Sequence, residues 1–194
     1  MSLFGPTDAK LELCNLLKGD LAFSKVKIET KSSERMSENQ ELAFVKAHFN
    51  HSTVPIIAIP YKYKSTTITN ILYASDLVNF KKEIVKVVAF AKPLKAIVEL
   101  LNLRSVLENK NSLEAIETAI KKIAGYPINF NVVVRNSNDS IVSDIEAAIK
   151  KQRPSLMIMF TEQNRSLFDR IFLSSKSAEY SFNAKVPLLV FQKS

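Results

Sequence analysis

The chain has 194 residues, of which 46% are hydrophobic and 24% charged, and its formal net charge is +8. This composition is that of a globular protein with a substantial core, and no apolar run approaches the ~20 residues that a membrane span needs. The lysines are spread over polar faces and last turns of predicted helices, without interleaved aromatics or a zinc-finger signature. Neither a membrane nor a nucleic acid is therefore an expected partner.

A single cysteine, Cys14, excludes an intramolecular disulfide, which is typical of the reducing cytoplasm. Cys14 lies among leucines at helical spacing, so we interpret it as a small core residue rather than a reactive thiol. Residues 1–20 lack the basic start and apolar block of a signal peptide. We expect a cytoplasmic protein.

In the first 64 residues, helical and strand patterns alternate without completing a regular series. A leucine-rich helix ends at Gly19, residues 24–30 alternate as a half-exposed strand does, and residues 41–49 return to helical spacing. Residues 55–59 form a short strand bounded by prolines, and the polar segment after it reads as a linker.

From residue 65 onward, strands and helices alternate strictly. This order predicts an α/β domain with a parallel sheet of five strands, covered on both faces as three layers and connected by right-handed crossovers. The predicted strands are 69–75, 95–103, 128–135, 155–161 and 186–192, and the predicted helices are 80–91, 112–124, 140–151 and 165–182.

The start of the chain repeats part of its end. Val-Pro-Ile-Ile-Ala-Ile at 54–59 parallels Val-Pro-Leu-Leu-Val-Phe at 186–191, and the helix–glycine–strand segments through Gly19 and Gly125 also correspond. We therefore divide the chain into a partial repeat, residues 1–64, and a complete domain, residues 65–194. The partial repeat cannot close its own sheet, so its edges need the complete domain or a partner chain to cover them.

Asp76 stands where the first strand of the complete domain ends. Ligands of open parallel sheets bind at the carboxyl ends of the strands, which makes Asp76 a candidate binding residue. An aspartate just past a strand is also a common helix N-cap, accepting backbone N–H groups of the next turn. The sequence leaves both interpretations open, with the N-cap favoured.

Three segments of the complete domain carry a family resemblance: Asn-Ile-Leu-Tyr-Ala-Ser-Asp-Leu at 70–77, Ser-Leu-Met-Ile-Met-Phe at 155–160, and Ser-Ser-Lys-Ser-Ala-Glu-Tyr at 174–180 with the final strand. Together they resemble the opening strand with its aspartate, the fourth strand and the ending of the universal stress protein family. The resemblance implies a flavodoxin-like sheet of the adenine-nucleotide-hydrolase type, a tandem organisation and dimer-like pairing of final strands.

Many members of that family bind ATP through Gly-x-x-Gly followed by Gly-Ser or Gly-Thr, and this chain departs from that motif. Its three glycines, Gly5, Gly19 and Gly125, lie elsewhere. Glycine is needed in such a loop because backbone N–H groups must approach the phosphates closely. The nucleotide-binding residues that the resemblance implies are Asp76, Thr161, Arg165, Ser174 and Ser175.

The two proline-initiated strands are predicted to lie at sheet edges, where they pair with each other or with a second molecule. The first is 55–59, and pairing between molecules would give a homodimer. The second consists of Val186, Pro187, Leu188, Leu189, Val190 and Phe191.

No catalytic motif is present in the sequence. His48 and His51 have a spacing that could place both on one metal, but no third ligand lies nearby, so no metal is expected. The resemblance, together with the missing glycines, implies a non-enzymatic stress-response protein that acts through protein interactions without a cofactor. The alternative is an ATP- or AMP-binding member with a rebuilt phosphate loop.

Overall fold

The structure of the chain, a computed structural model, describes residues 2–4, 29–31, 55–59, 63, 67–104, 111–135, 141–161 and 186–192. The chain divides into two compact units. One unit is Ile68–Ile158, and the other combines Met1–Thr67 with Met159–Ser194. The predicted helices before residue 50 and at 165–182 lie outside the described residues.

The described residues form three helices and eight strands. The helices are α1 (Phe80–Leu94), α2 (Asn111–Ala124) and α3 (Ile141–Gln152). The strands are β1 (Ser2–Phe4), β2 (Glu29–Lys31), β3 (Ile56–Ala58), β4 (Asn70–Ala74), β5 (Ile97–Arg104), β6 (Ile128–Val134), β7 (Leu156–Thr161) and β8 (Leu188–Gln192).

The unit Ile68–Ile158 contains the parallel strands β4, β5 and β6, and its last residues, the first half of β7, lie beside β4. Tyr73 of β4 lies opposite Leu100 of β5, and Leu100 lies opposite Phe130 of β6. Ser155 fixes the start of β7 beside β4, because its backbone N–H donates to the Asn70 carbonyl oxygen at 2.9 Å. The predicted α/β fold with a parallel, flavodoxin-like sheet is confirmed, and its first strand, β4, has a neighbour on each side.

Strand β4 is buried on both faces, as its apolar run predicts. Ile71, Leu72 and Tyr73 have no exposed surface, and each such side chain contributes roughly 1.5–3 kcal/mol relative to an exposed one. Helices α1 and α3 add apolar side chains to the core. Among them are Ile84, Val87 and Ala91 of α1, and Ile145 and Ala148 of α3.

Helix α1 extends three residues past its predicted end at residue 91 and includes a proline. Pro93 lies in the last turn, and the helix ends only at Leu94. Lys95 adopts a left-handed conformation (φ 53°), and the N–H groups of Lys95 and Ala96 donate to Lys92 and Ala91 carbonyl oxygens at 3.1 Å. So close to the helix end, Pro93 removes one hydrogen bond while the left-handed cap closes the turn.

The second unit contains strands β2, β1, β3 and β8 in that order, followed by the second half of β7. Strands β1 and β3 are parallel, whereas β3 and β8 are antiparallel with Ile57 opposite Leu189. The Phe160 and Phe191 rings stack with their centroids 5.1 Å apart. The two proline-initiated strands thus pair with each other within the chain.

The prediction that β8 is an edge strand is wrong. It has β3 on one side and β7 on the other, and Leu188, Leu189 and Val190 are buried. The physical reason is that β3 takes up the backbone groups that an edge would leave open. Strand β3, between β1 and β8, is likewise interior.

None of the described helices combines the length and the apolar content that crossing a membrane requires.

Replacing Gly125 by alanine should lower the free energy of unfolding by about 1 kcal/mol. Gly125 follows α2 with a left-handed φ of 51°, and an added Cβ would meet no atom within 4 Å, so the loss comes from backbone strain alone. Gly125→Asn should cost less, because asparagine tolerates this conformation better. Urea denaturation should give a free energy of unfolding that falls from wild type to Gly125→Asn to Gly125→Ala. Equal values would contradict the strain expected from the left-handed conformation of Gly125.

Candidate functional site

The candidate site is the turn at the carboxyl end of β4. The Leu77 N–H donates to Ser75 Oγ at 3.1 Å, and the Val78 N–H donates to Asp76 Oδ1 at 3.0 Å. Leu77 adopts a left-handed conformation (φ 63°), which an L residue with a branched side chain seldom adopts. Asp76 is solvent-exposed at the position that the sequence predicts, with one carboxylate oxygen holding the turn.

Asp76 is not the N-cap of the following helix, so the favoured interpretation of this residue is wrong. The N-cap is Asn79, whose carbonyl oxygen accepts the N–H groups of Lys82 at 3.0 Å and Glu83 at 3.2 Å. The Asp76 carboxylate instead closes an Asx-type turn with Val78. Helix α1 therefore begins three residues later than a capping Asp76 would require.

A buried polar cluster, formed by Tyr73, Ser75 and Glu83, lies beneath this turn. The Tyr73 hydroxyl donates to Glu83 Oε2 at 2.5 Å and lies 3.0 Å from Ser75 Oγ. The Ser75 hydroxyl lies 3.2 Å from the same carboxylate oxygen. Glu83 is only 3% exposed, so these donors replace the water that its Oε2 atom would otherwise bind.

The cluster strongly perturbs Tyr73. Burial is the largest cause that raises the pKa of the Tyr73 hydroxyl far above its ordinary value of 10.0, and the nearby Glu83 charge raises it further. Tyr73 is therefore a neutral hydrogen-bond donor throughout the physiological range. It serves as a fixed donor and not as a general base.

Strand β5 fixes Ser75 from the other side. The Ser75 N–H donates to the Leu101 carbonyl oxygen at 3.0 Å, and the buried Asn102 side chain donates from Nδ2 to the Ser75 carbonyl oxygen at 3.0 Å. The hydroxyl, N–H and carbonyl groups of Ser75 thus all form hydrogen bonds within the chain. The turn that carries Asp76 is consequently anchored at its first residue.

At the end of β6, a basic side chain is neutralised. Arg135 Nε lies 2.7 Å from Asp144 Oδ2 at the start of α3, and the Arg135 N–H donates to the Arg104 carbonyl oxygen at 2.8 Å. Because the Arg135 charge is already paired, it offers little additional attraction for a phosphate.

Of the residues predicted to bind a nucleotide, the structure describes the surroundings of Asp76 only. Thr161 is the last residue of β7. Arg165, Ser174 and Ser175 lie outside the described residues, as do Cys14, His48 and His51. The predicted nucleotide set stays a prediction. Within the described ranges, no three His, Cys, Asp or Glu side chains are grouped to hold a metal ion.

Sequence reasoning missed Tyr73, Glu83 and Asn102. A signal for Glu83 was present, because it precedes the buried Val87 by one helical turn and therefore lies on the apolar face of α1. A charged residue in that stripe predicts a buried partner. The partner itself, Tyr73, depends on how β4 and α1 pack, which periodicity does not specify.

No protein-family model and no curated protein matches the chain. Among solved structures, it is similar to a universal stress protein from Archaeoglobus fulgidus DSM 4304, with a TM-score of 0.60 and 14% identity over 92% of this chain. The chain spans 65% of the length of that protein. It is also similar to a putative universal stress protein from Pseudomonas aeruginosa UCBPP-PA14, with a TM-score of 0.50 and 11% identity, covering 98% of this chain and 81% of the other.

Removing the Tyr73 hydroxyl should flatten the alkaline pH dependence of stability. The folded state holds the Tyr73 proton above pH 10.0 while the unfolded state releases it, so stability is complete below the ordinary pKa and falls as the pH rises above it. For one proton the fall approaches about 1.4 kcal/mol per pH unit. Tyr73→Phe should lose most of this slope.

The comparison variant is Tyr126→Phe, which leaves Tyr73 in place and should therefore keep the part of the slope that Tyr73 causes. The Tyr126 hydroxyl donates to the Ala96 carbonyl oxygen at 2.8 Å, and burial also raises its pKa. Urea unfolding below and above pH 10 checks both variants. An unchanged slope in Tyr73→Phe would contradict the buried cluster.

Proposed function

We propose that this chain, which has the fold of the universal stress proteins, is a non-enzymatic stress-response protein that acts through protein interactions and does not bind ATP. The observation that supports the proposal is the position of its glycines. The three glycines are Gly5, Gly19 and Gly125, and none follows β7, where the resemblance places the phosphate loop.

A phosphate loop depends on glycine for a physical reason. Several consecutive N–H groups must point at the phosphate, which brings the backbone within hydrogen-bond distance and often requires left-handed conformations. Residues 161–175 contain phenylalanine, leucine, isoleucine and arginine but no glycine. Side chains at the glycine positions would obstruct the approach.

The geometry around Asp76 supports the same proposal. One Asp76 carboxylate oxygen is occupied by the Val78 N–H, and Ser75 is engaged on all sides by Glu83, Leu101 and Asn102. A nucleotide that used Asp76 would bind beside a turn whose hydrogen bonds are already made. The site has no spare N–H pair from Leu77 and Val78 for a ligand.

The second candidate function is binding of ATP or AMP through Asp76, Thr161, Arg165, Ser174 and Ser175. What favours it is that Asp76 is exposed at the carboxyl end of β4, where parallel sheets bind ligands. It would require a rebuilt phosphate loop, with side chains such as Arg165 replacing backbone N–H groups. Hydrolysis of the nucleotide would need further groups that the sequence does not indicate.

The proposal includes a cytoplasmic location, which the single cysteine supports. The proposal also changes where the predicted homodimer could form. Because β8 is paired to β3 within the chain, a second molecule would have to bind elsewhere than at Val186–Phe191.

Thermal unfolding with ATP, AMP and magnesium tests the proposal, because a ligand that binds only the folded state must stabilise it, by about 2.7 kcal/mol at 100 times its dissociation constant. We expect no change in melting temperature at millimolar nucleotide. A rise that Asp76→Ala abolishes, and that Glu114→Ala, an exposed carboxylate on α2, leaves intact, would overturn the proposal in favour of the second candidate.

A further inference from the structure

Among the described strands, β6 is the outermost of its sheet, with β5 on one side only. Native edge strands are usually short or carry charges, prolines or bulges that prevent pairing with another chain. Strand β6 reads Ile-Asn-Phe-Asn-Val-Val-Val over seven residues, without charge, proline or glycine. Val133 is 37% and Val134 is 51% exposed.

The two faces of β6 differ in polarity. Asn129 and Asn131 share one face with Glu99 of β5, and their Nδ2 atoms donate to the Glu99 carboxylate at 2.6 and 3.5 Å. On the other face, Ile128 and Phe130 lie opposite Val98 and Leu100 of β5, and Val132 and Val134 lie opposite Asn102 and Arg104. A strand added to this edge must therefore be apolar on one face and polar or neutral on the other.

We propose that the outer edge of β6 binds β6 of a second copy of this chain, forming an antiparallel pair about a two-fold axis perpendicular to the sheet. Such an axis keeps like faces together, so the apolar face of each copy continues the apolar face of the other. With Asn131 opposite its own symmetry mate, Phe130 lies opposite Val132, and Ile128 lies opposite Val134. The strand is thus complementary to itself.

Charge also favours a second copy. Two chains of net charge +8 repel one another, so they can approach only where no unmatched positive charge is brought together. Strand β6 itself carries no charge, Arg135 directly after it is paired with Asp144 at 2.7 Å, and Arg104 of β5, opposite Val134, is buried. This inference goes beyond the proposed function and does not depend on whether a nucleotide binds.

Sedimentation velocity of the full chain over a concentration series tests the pairing. We expect a monomer–dimer equilibrium. Val134→Lys should weaken the dimer affinity at least about tenfold, because each copy then brings a lysine charge against the strand of the other. Val85→Lys is the matched control: Val85 is 57% exposed on α1, so the same charge is added away from β6 and the dimer should persist. A wild-type monomer at every concentration, or a dimer insensitive to Val134→Lys, overturns the proposal.

A cross-link tests the register. In antiparallel pairs, directly opposite Cβ atoms lie about 4.5–5.5 Å apart, near the range of a disulfide. In a Cys14→Ser background, Asn131→Cys should form a covalent dimer under mild oxidation, whereas Val85→Cys should not. Failure of Asn131→Cys to cross-link, or equal cross-linking of both, contradicts the two-fold pairing. Circular dichroism of each variant establishes that it is folded.

Discussion

Burial of a carboxylate beneath the end of β4 is the constraint on which the candidate site depends. Glu83 reaches into the core from α1 and is stabilised there by the hydroxyls of Tyr73 and Ser75. Removing either donor would leave a charge with too few hydrogen bonds in a low-dielectric interior. The same bonds couple helix α1 to strand β4 and fix the turn in which Asp76 lies. Fold stability and site geometry therefore rest on one group of side chains.

The hydrogen bonds that join α1 to β4 also determine what the turn with Asp76 can bind. A turn held by Ser75, Asn102 and its own Asp76 is prearranged, and its N–H groups are already used within the chain. Such a turn is suited to present a fixed surface rather than to close around a phosphate. Together with the missing glycines, it supports the proposal that the chain does not bind ATP.

The sequence predicted the architecture well where periodicity determines it. The alternation of apolar strands with amphipathic helices specified the parallel sheet and the burial of β4, since each pattern has one favourable way to bury its face. It was less informative where contacts join distant residues. The internal repeat suggested that the two proline-initiated strands pair, but not that the pairing would place β8 between two neighbours.

At the site, local sequence rules were insufficient for a similar reason. Asp76 has the residue type and position of a helix N-cap, yet its carboxylate accepts a hydrogen bond from the Val78 N–H. The reason is that five residues separate β4 from α1, so the helix begins beyond the reach of Asp76. Helix α1 continued through Pro93 because a left-handed Lys95 could close it. In both cases the outcome depends on backbone conformations that non-glycine residues seldom adopt, Leu77 and Lys95 among them.

The central claim is that the turn at the end of β4 is a structural element and does not receive a nucleotide. The most direct test is the amide ¹H–¹⁵N chemical shifts of Leu77 and Val78 during a titration of the full chain with magnesium and ATP. The account predicts that both resonances stay in place, because their N–H groups remain bonded to Ser75 and Asp76. Saturable shifts of these two amides would contradict it.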